Sequence, residues 1–407
     1  MQTPRVVFLA QAVPYPPRIG SRQRCLHLLR AYVEGGHSVH FIALSRGDAD
    51  GVGAQWLRQW CEEVTLIPME DTVYARVLRW GTWLGWREVL GRPWPWSVWK
   101  YYSPMMEMTV QRAAQACDIV HFCQLAMVPY MKAVAGNQKK VARLVLDLND
   151  VDSVVRSREL ATGMVKGLRS RLFCRVEQAK LAILERRIVN VFDVTLVCSE
   201  IECDRFRSGR VKAVPNGAEF PHESTVVSLG DGRTLLFVGF IDYPPNADGL
   251  LWFVDRVFPR VRRMAAEAQL VVVGRCSDPR ILALDNRACI RVVGEVEDLT
   301  PYYNMASVVV VPLRVGGGTR IKIIEAFGWK RSVVATRLAV EGIPATPTRE
   351  LFVEDDPEQF ALRCVGILRD PSMRREMGER ARKFADAYEW AKIRRRMMEV
   401  VYSGERG

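Results

Sequence analysis

Short apolar runs, bounded by glycine, proline and polar clusters, alternate along this chain with stretches of helical periodicity. In the first half the runs are RVVFLA (Arg5–Ala10), VHFIAL (39–44), VTLI (64–67), DIVHF (118–122), LVLDL (144–148), VTLV (Val194–Val197) and VKAV (211–214). In the second half they are LLFVG (235–239), QLVVV (Gln269–Val273), IRVV (290–293), VVVV (Val308–Val311) and VVA (333–335). Runs this short and this rich in β-branched residues read as strands, and the periodic stretches between them as helices. Residues 21–34 put Leu26, Leu29 and Val33 on one face before Gly35 and Gly36 end the helix. Residues 164–187 repeat the device with Leu168, Leu172, Val176, Ala179 and Ile183, and 357–402 is helical almost throughout. A proline-containing loop with Asn246 is expected to lead into a helix at 249–258. Strand–helix alternation in both halves predicts an α/β protein with two Rossmann-like, doubly wound parallel sheets. Two domains also suit 407 residues, and the polar connector 218–232 is the best boundary between them.

One stretch carries the chemistry. After the strand Val308–Val311 come Pro312, the glycines Gly316, Gly317 and Gly318, then Thr319, Arg320 and Lys322, and a helical pattern through Glu325. A glycine loop between a strand and a helix lets backbone N–H groups approach an anion, and the helix N-terminus adds partial positive charge. Thr319 is a candidate cap, and Arg320 and Lys322 bring full charges to a phosphate.

Composition narrows the field. The net charge of +12 comes without any compact run of five basic residues; RSRLFCR (169–175) is the nearest approach. Dispersed charge favours a phosphate-bearing ligand or a lipid surface over the reading of a DNA sequence. The ten cysteines form no CxxC pair, which suits reduced, mostly buried thiols in a cytoplasmic protein. The opening apolar run is too short for a signal peptide, and no stretch is long enough to span a bilayer. Residues 76–102 hold six of the eleven tryptophans, interleaved with Arg76, Arg79, Arg87, Arg92 and Lys100. Trp80, Trp83 and Trp86 suit a membrane interface, where indole rings sit among headgroups and cations meet lipid phosphate. The competing reading is an aromatic face packed on the domain core.

These features together resemble a known family. GGGTRIKIIEA with the following VVAT and EG (316–342) resembles the nucleotide-sugar loop of family-four glycosyltransferases with the GT-B fold. PNG (215–217), VG (238–239) with Asn246, and GEVEDLTPYY (294–303) fit that pattern in the same order. YPPRIGSRQRCLHLLRAYVEGGHSV (15–39) and DLNDVDS (147–153) are similar to the sugar transferases of bacterial exopolysaccharide and PEP-CTERM/exosortase gene clusters. The resemblance covers nearly the whole chain. It implies two Rossmann-like domains facing a cleft: an acceptor-side domain at 1–220, to which a helix at about 388–404 returns, and a nucleotide-sugar domain at 221–387.

It also implies roles. Glu325 matches the second glutamate of the family's E-x7-E motif and would accept hydrogen bonds from the ribose hydroxyls. The first glutamate falls at Gly317, so the chain departs from the commonest pattern, and backbone of Gly316–Gly318 is left to hold the diphosphate or sugar. Arg320 and Lys322 would neutralise the departing diphosphate. Gly239, Asn246, Glu295 and Val296 complete the donor pocket. His121 matches a strand-end histidine near the acceptor, although a lone histidine is as often a satisfied core group. Gly20, Ser21, Asn149 and Asp150 are the remaining acceptor-side candidates.

The expectation is a retaining, metal-independent glycosyltransferase of hexosyltransferase type, using a nucleoside diphosphate sugar and no cofactor. Its acceptor would be lipid-linked or a growing polysaccharide, and the protein cytoplasmic, with peripheral contact to an anionic inner membrane face and no nucleic acid partner. Asp150 and Asp152 form a DxD of the kind that holds metal in the other large transferase fold, but such triplets recur by chance, as at Asp48 and Asp50. A nicotinamide dehydrogenase would want GxGxxG after a first strand, which neither half has. A sugar-nucleotide epimerase, or a binding or scaffold protein that has lost turnover with the residue at 317, are the alternatives.

Overall fold

The computed structural model describes residues 3–17, 19–75, 93–135, 142–287, 289–317 and 320–403. The chain forms two compact units, Met1–Pro215 with Ile393–Gly407, and Asn216–Lys392.

The N-terminal unit is built on seven parallel strands: β1 (Arg5–Ala10), β2 (Ser38–Ser45), β3 (Glu63–Pro68), β4 (Ile119–Cys123), β5 (Arg143–Asn149), β6 (Val194–Val197) and β7 (Val211–Ala213). Their order is β3-β2-β1-β4-β5-β6-β7. The C-terminal unit has six: β8 (Thr234–Val238), β9 (Gln269–Val273), β10 (Ile290–Gly294), β11 (Val308–Val311), β12 (Ser332–Ala335) and β13 (Phe352–Val353), in the order β10-β9-β8-β11-β12-β13. The order reverses between β1 and β4 in one sheet and between β8 and β11 in the other. Loops leaving neighbouring strands diverge there, and the crevice they open at the carboxyl ends is where doubly wound sheets take ligands. β4, β6, β8, β11 and β12 are buried along their whole length, as parallel strands covered by helices on both faces must be.

The helix Gly20–Glu34 is tied to the first sheet by a fully buried ion pair. Arg24 Nη2 lies 2.6 Å from Asp147 Oδ1 on β5, with the two side chains 1% and 0% exposed, and Arg24 Nη1 donates to the Val214 carbonyl at 2.8 Å. The helix Trp390–Tyr402 returns to this unit from Ile393 onward. Arg394 there reaches Glu34 Oε2 at 2.6 Å, and Arg396 reaches Glu200 at 3.1 Å. The units divide at Pro215 and Lys392, where the sequence suggested 220 and 387. The connector 218–232 is no free linker: Asn304 donates to the Thr225 carbonyl at 2.9 Å and accepts from Val227 N at 3.2 Å.

The expected helix at 249–258 begins earlier, at Pro244, and continues past Trp252 through a π-helical turn at Phe253–Val257 into Phe258–Met264. Proline needs no helical N–H donor in the first turn and has φ already set, so Pro244 and Pro245 start the helix instead of preceding it. Asn246 thereby sits in the first turn. Trp80, Trp83 and Trp86 lie outside the described residues. Of their neighbours, Trp99 stacks on Tyr102 with ring centroids 4.4 Å apart and planes within 9°.

Candidate active site

In the C-terminal unit, glycines punctuate the carboxyl edge of the sheet. Gly239, Gly274 and Gly294 end β8, β9 and β10. A Cβ on Gly274 would fall 1.8 Å from the Gly239 carbonyl oxygen, and Gly274 has φ +136°. This is backbone against backbone, with nothing flexible to give way. Gly274→Ala is therefore expected to cost about 2–3 kcal/mol, seen as a lowered unfolding midpoint. On Gly239 the same Cβ would meet Lys322 Nζ at 2.8 Å instead, the end of a mobile side chain. Side-chain-free backbone at 239 leaves room for the ammonium.

That ammonium is the centre of the site. Lys322 lies one residue inside the helix Ile321–Gly328. Its Nζ donates to Asn246 Oδ1 at 2.8 Å and stands 4.9 Å from the centre of the Phe237 ring. Asn246 is itself held, its Nδ2 donating to the Phe240 carbonyl at 2.6 Å. Burial, then nearby Arg320, lowers the Lys322 pKa and Glu325 pulls the other way, leaving it at about 7.

Arg320 occupies the helix N-cap, where its own side chain accepts from none of the first amides, and no acidic residue sits in the first turn. Gly316 has φ +131°, and a Cβ there would lie 3.1 Å from Arg320 Nη2, so the guanidinium folds over the loop. Gly317 brings no carboxylate. Gly318 and Thr319 lie outside the described residues. Glu325 is half-buried one turn beyond Lys322. It shares its surroundings with Tyr303, whose phenol is held well above its usual pKa by burial and then by the Glu325 charge. Tyr303 stacks face to face on Trp329 at 5.2 Å. Glu295 is exposed and Val296 half-buried just after β10. Thus Gly239, Asn246, Gly316, Arg320 and Lys322 come together, with Glu325 one helical turn away.

In the N-terminal unit, Gly20 and Ser21 open the helix Gly20–Glu34. Ser21 lines a cavity of about 150 Å³ with Gln11, Arg22, Arg46 and Gln124 at the β1/β4 switch point. Asn149 has φ +62° and its Nδ2 donates to Asp150 Oδ2 at 3.2 Å, while Cys198 Sγ donates to the Asn149 carbonyl at 2.8 Å. His121 lies deeper than a strand-end position. It is the third of five residues of β4, fully buried, with Nδ1 3.0 Å from Tyr32 Oη and its ring stacked on Phe8 at 4.5 Å. Burial, then Arg24, lowers its pKa to about 3. His121 is a neutral core group of the N-terminal unit, away from the carboxyl edge of its sheet.

Sequence reasoning missed two side chains, Arg22 and Arg46, that charge the N-terminal cavity. It also missed that Lys322 and Asn246 are one unit, although each was singled out alone. Among the described residues no three His, Cys, Asp or Glu side chains gather as a metal site would need. Asp150 and Asp152 are no exception: Asp152 opens the helix Asp152–Ala161, and burial, then Glu185 and Asp150, raises its pKa to about 7.

Residues 232–370 match the family described as Glycosyl transferases group 1. An uncharacterized 44.6 kDa protein of the cps region of Klebsiella pneumoniae is 22% identical over 391 residues, 93% of this chain and 95% of that one. Among solved structures, Anabaena HepE in complex with UDP and glucose superposes with a TM-score of 0.65 at 13% identity, covering 98% of this chain and 99% of that one. WaaG, a glycosyltransferase involved in lipopolysaccharide biosynthesis, gives a TM-score of 0.63 at 15% identity, covering 98% and 100%. The fold is that of the GT-B glycosyltransferases.

Proposed function

We propose, from the group 1 glycosyl transferase domain that residues 232–370 form within a GT-B fold, that this protein transfers a sugar from a nucleoside diphosphate sugar to a hydroxyl acceptor. The reading is further that transfer retains anomeric configuration, needs no metal, and serves exopolysaccharide synthesis on a lipid-linked or polysaccharide acceptor. The cps-region relative supports the exopolysaccharide context. HepE supports a UDP-sugar as the first donor to try.

The observation that carries the reading is the Lys322–Asn246 pair beside Gly239 at the β8/β11 switch point. In the proposed reaction the acceptor oxygen bonds to the anomeric carbon as the bond from that carbon to the diphosphate oxygen breaks. The acceptor proton passes to the departing diphosphate. Negative charge grows on that diphosphate, and Lys322, Arg320 and the N-terminus of the Ile321–Gly328 helix meet it. Their positive charge does the work that a divalent cation does elsewhere. Glu325 takes the ribose hydroxyls, and Gly20, Ser21, Asn149 and Asp150 remain the candidates on the acceptor side.

A thermal-shift panel of UDP-, GDP- and ADP-sugars, followed by assay of hydrolysis and transfer, tests this reading. Stabilisation by one of them, with turnover in EDTA, supports it; no stabilisation by any overturns it. Gly317 favours a second reading, a sugar-nucleotide-binding scaffold, and binding without any turnover would decide for that. Glu325→Ala is expected to weaken nucleotide binding about ten- to a hundredfold by removing a charged hydrogen bond of roughly 1.5–3 kcal/mol. Calorimetric titration with UDP that showed an unchanged dissociation constant would remove Glu325 from the ribose.

A further inference from the structure

The helix Leu168–Ile188 of the N-terminal unit divides its ionisable residues in an unusual way. Its inner face buries Cys174, Glu177, Leu181, Glu185 and Ile188. Both of the helix's carboxylates are on that face and both are engaged. Glu177 accepts from Trp96 N at 2.9 Å and Ser97 N at 2.7 Å. Glu185 accepts from Ser153 N at 3.0 Å and from the Ser153 hydroxyl. The outer face is left with one sign of charge: Arg169, Arg171, Arg175, Arg186 and Arg187 are all exposed.

Large apolar side chains share that face. Leu168 is 86% exposed, Leu172 62% and Ile183 53%. Positions 168, 172, 175, 179, 183 and 186 advance by three or four residues, and 171 stands three from 168 and four from 175, so arginines and aliphatic side chains form one stripe on the solvent side. Leucines as open to water as these, set among cations with no exposed carboxylate, are out of place on a purely solvated helix.

We propose that this stripe docks the protein on an anionic membrane surface, the arginines pairing with lipid phosphates and Leu168, Leu172 and Ile183 entering below the headgroups. A cationic helix face carrying aliphatic residues fits such a plane. Nucleic acid would meet the arginines but find no use for the leucines. Among the described residues no helix is long and apolar enough to cross a membrane, so the contact is peripheral. The proposal goes beyond the transferase reading and does not depend on it.

The test is co-sedimentation of the full chain with vesicles containing phosphatidylglycerol and with pure phosphatidylcholine vesicles, at low and high salt. Wild type should bind the anionic vesicles, bind the zwitterionic ones far less, and be released by salt. Arg169→Gln/Arg171→Gln/Arg175→Gln should lower the partition coefficient about a hundredfold at low salt, and Leu168→Ser/Leu172→Ser about tenfold or more. All five positions are exposed, so unfolding midpoints should match wild type. Wild type that ignores anionic vesicles, or binds both kinds equally, overturns the proposal; so does a well-folded variant that binds like wild type. UDP-sugar binding, measured on the same samples, fails or survives separately and so tells this proposal from the transferase reading.

Discussion

Lys322→Met should reduce kcat for sugar transfer by about 10²–10³, the cost typical of removing one donor aimed at developing charge. Methionine keeps much of the length and apolar stem over Phe237 but offers nothing to a phosphate. The loss should fall on turnover more than on KM, because diphosphate charge is greatest in the transition state. Unchanged kcat would mean that the ammonium beside Gly239 and Asn246 does not face the leaving group.

The same residue predicts a pH dependence. With a pKa lowered to about 7, Lys322 loses its charge in the free protein as pH rises above that value. An anionic ligand favours the charged form, so binding above pH 7 takes up a proton, and affinity falls as pH rises by at most about tenfold per unit. The diphosphate of a nucleotide sugar has no group titrating in this range, so the slope belongs to the protein. Dissociation constants between pH 6.5 and 8.5 should show the slope in wild type, and Lys322→Met should abolish it. A slope that survives the substitution assigns it to another group.

Asp147→Ala is the substitution expected to damage the fold most, by about 3–5 kcal/mol, because it strands the guanidinium of Arg24 without its counter-charge. Arg24 and Asp147 are 1% and 0% exposed, and the pair joins the helix Gly20–Glu34 to β5. Denaturant unfolding of the N-terminal unit measures the effect. The double replacement Arg24→Met/Asp147→Leu should recover most of the loss, since apolar side chains of similar volume suit that site. A single Asp147→Ala change that shifted stability by less than about 1 kcal/mol would show that solvent reaches Arg24.

Most strands were legible because a parallel strand covered on both faces reads as a short, unbroken apolar run. The same property hid the facing of His121. Along β4, buried at every position, no alternation distinguishes one face from the other, so nothing local said that the ring lies against Phe8 and Tyr32. The start of the helix Pro244–Trp252 was misread because two adjacent prolines announce a loop as readily as a first helical turn.

Gly316, Arg320, Lys322 and Glu325 could be singled out as a group because they are close neighbours in the chain, around one strand–helix junction. Local spacing is enough to put a helix start, a glycine loop and two cations together. The chain by itself therefore determined that an anion-holding junction exists and which side chains charge it. Only the tertiary structure decided what completes it. Lys322 and Asn246 are 76 residues apart, and they meet because β8 and β11 pair side by side although β9 and β10 come between them in the chain. That pairing brings Gly239 under the ammonium and lets Asn246 hold it. Arg24 and Asp147, 123 residues apart, meet for the same reason: strand order sets which distant side chains share a buried space, and local periodicity carries no record of strand order.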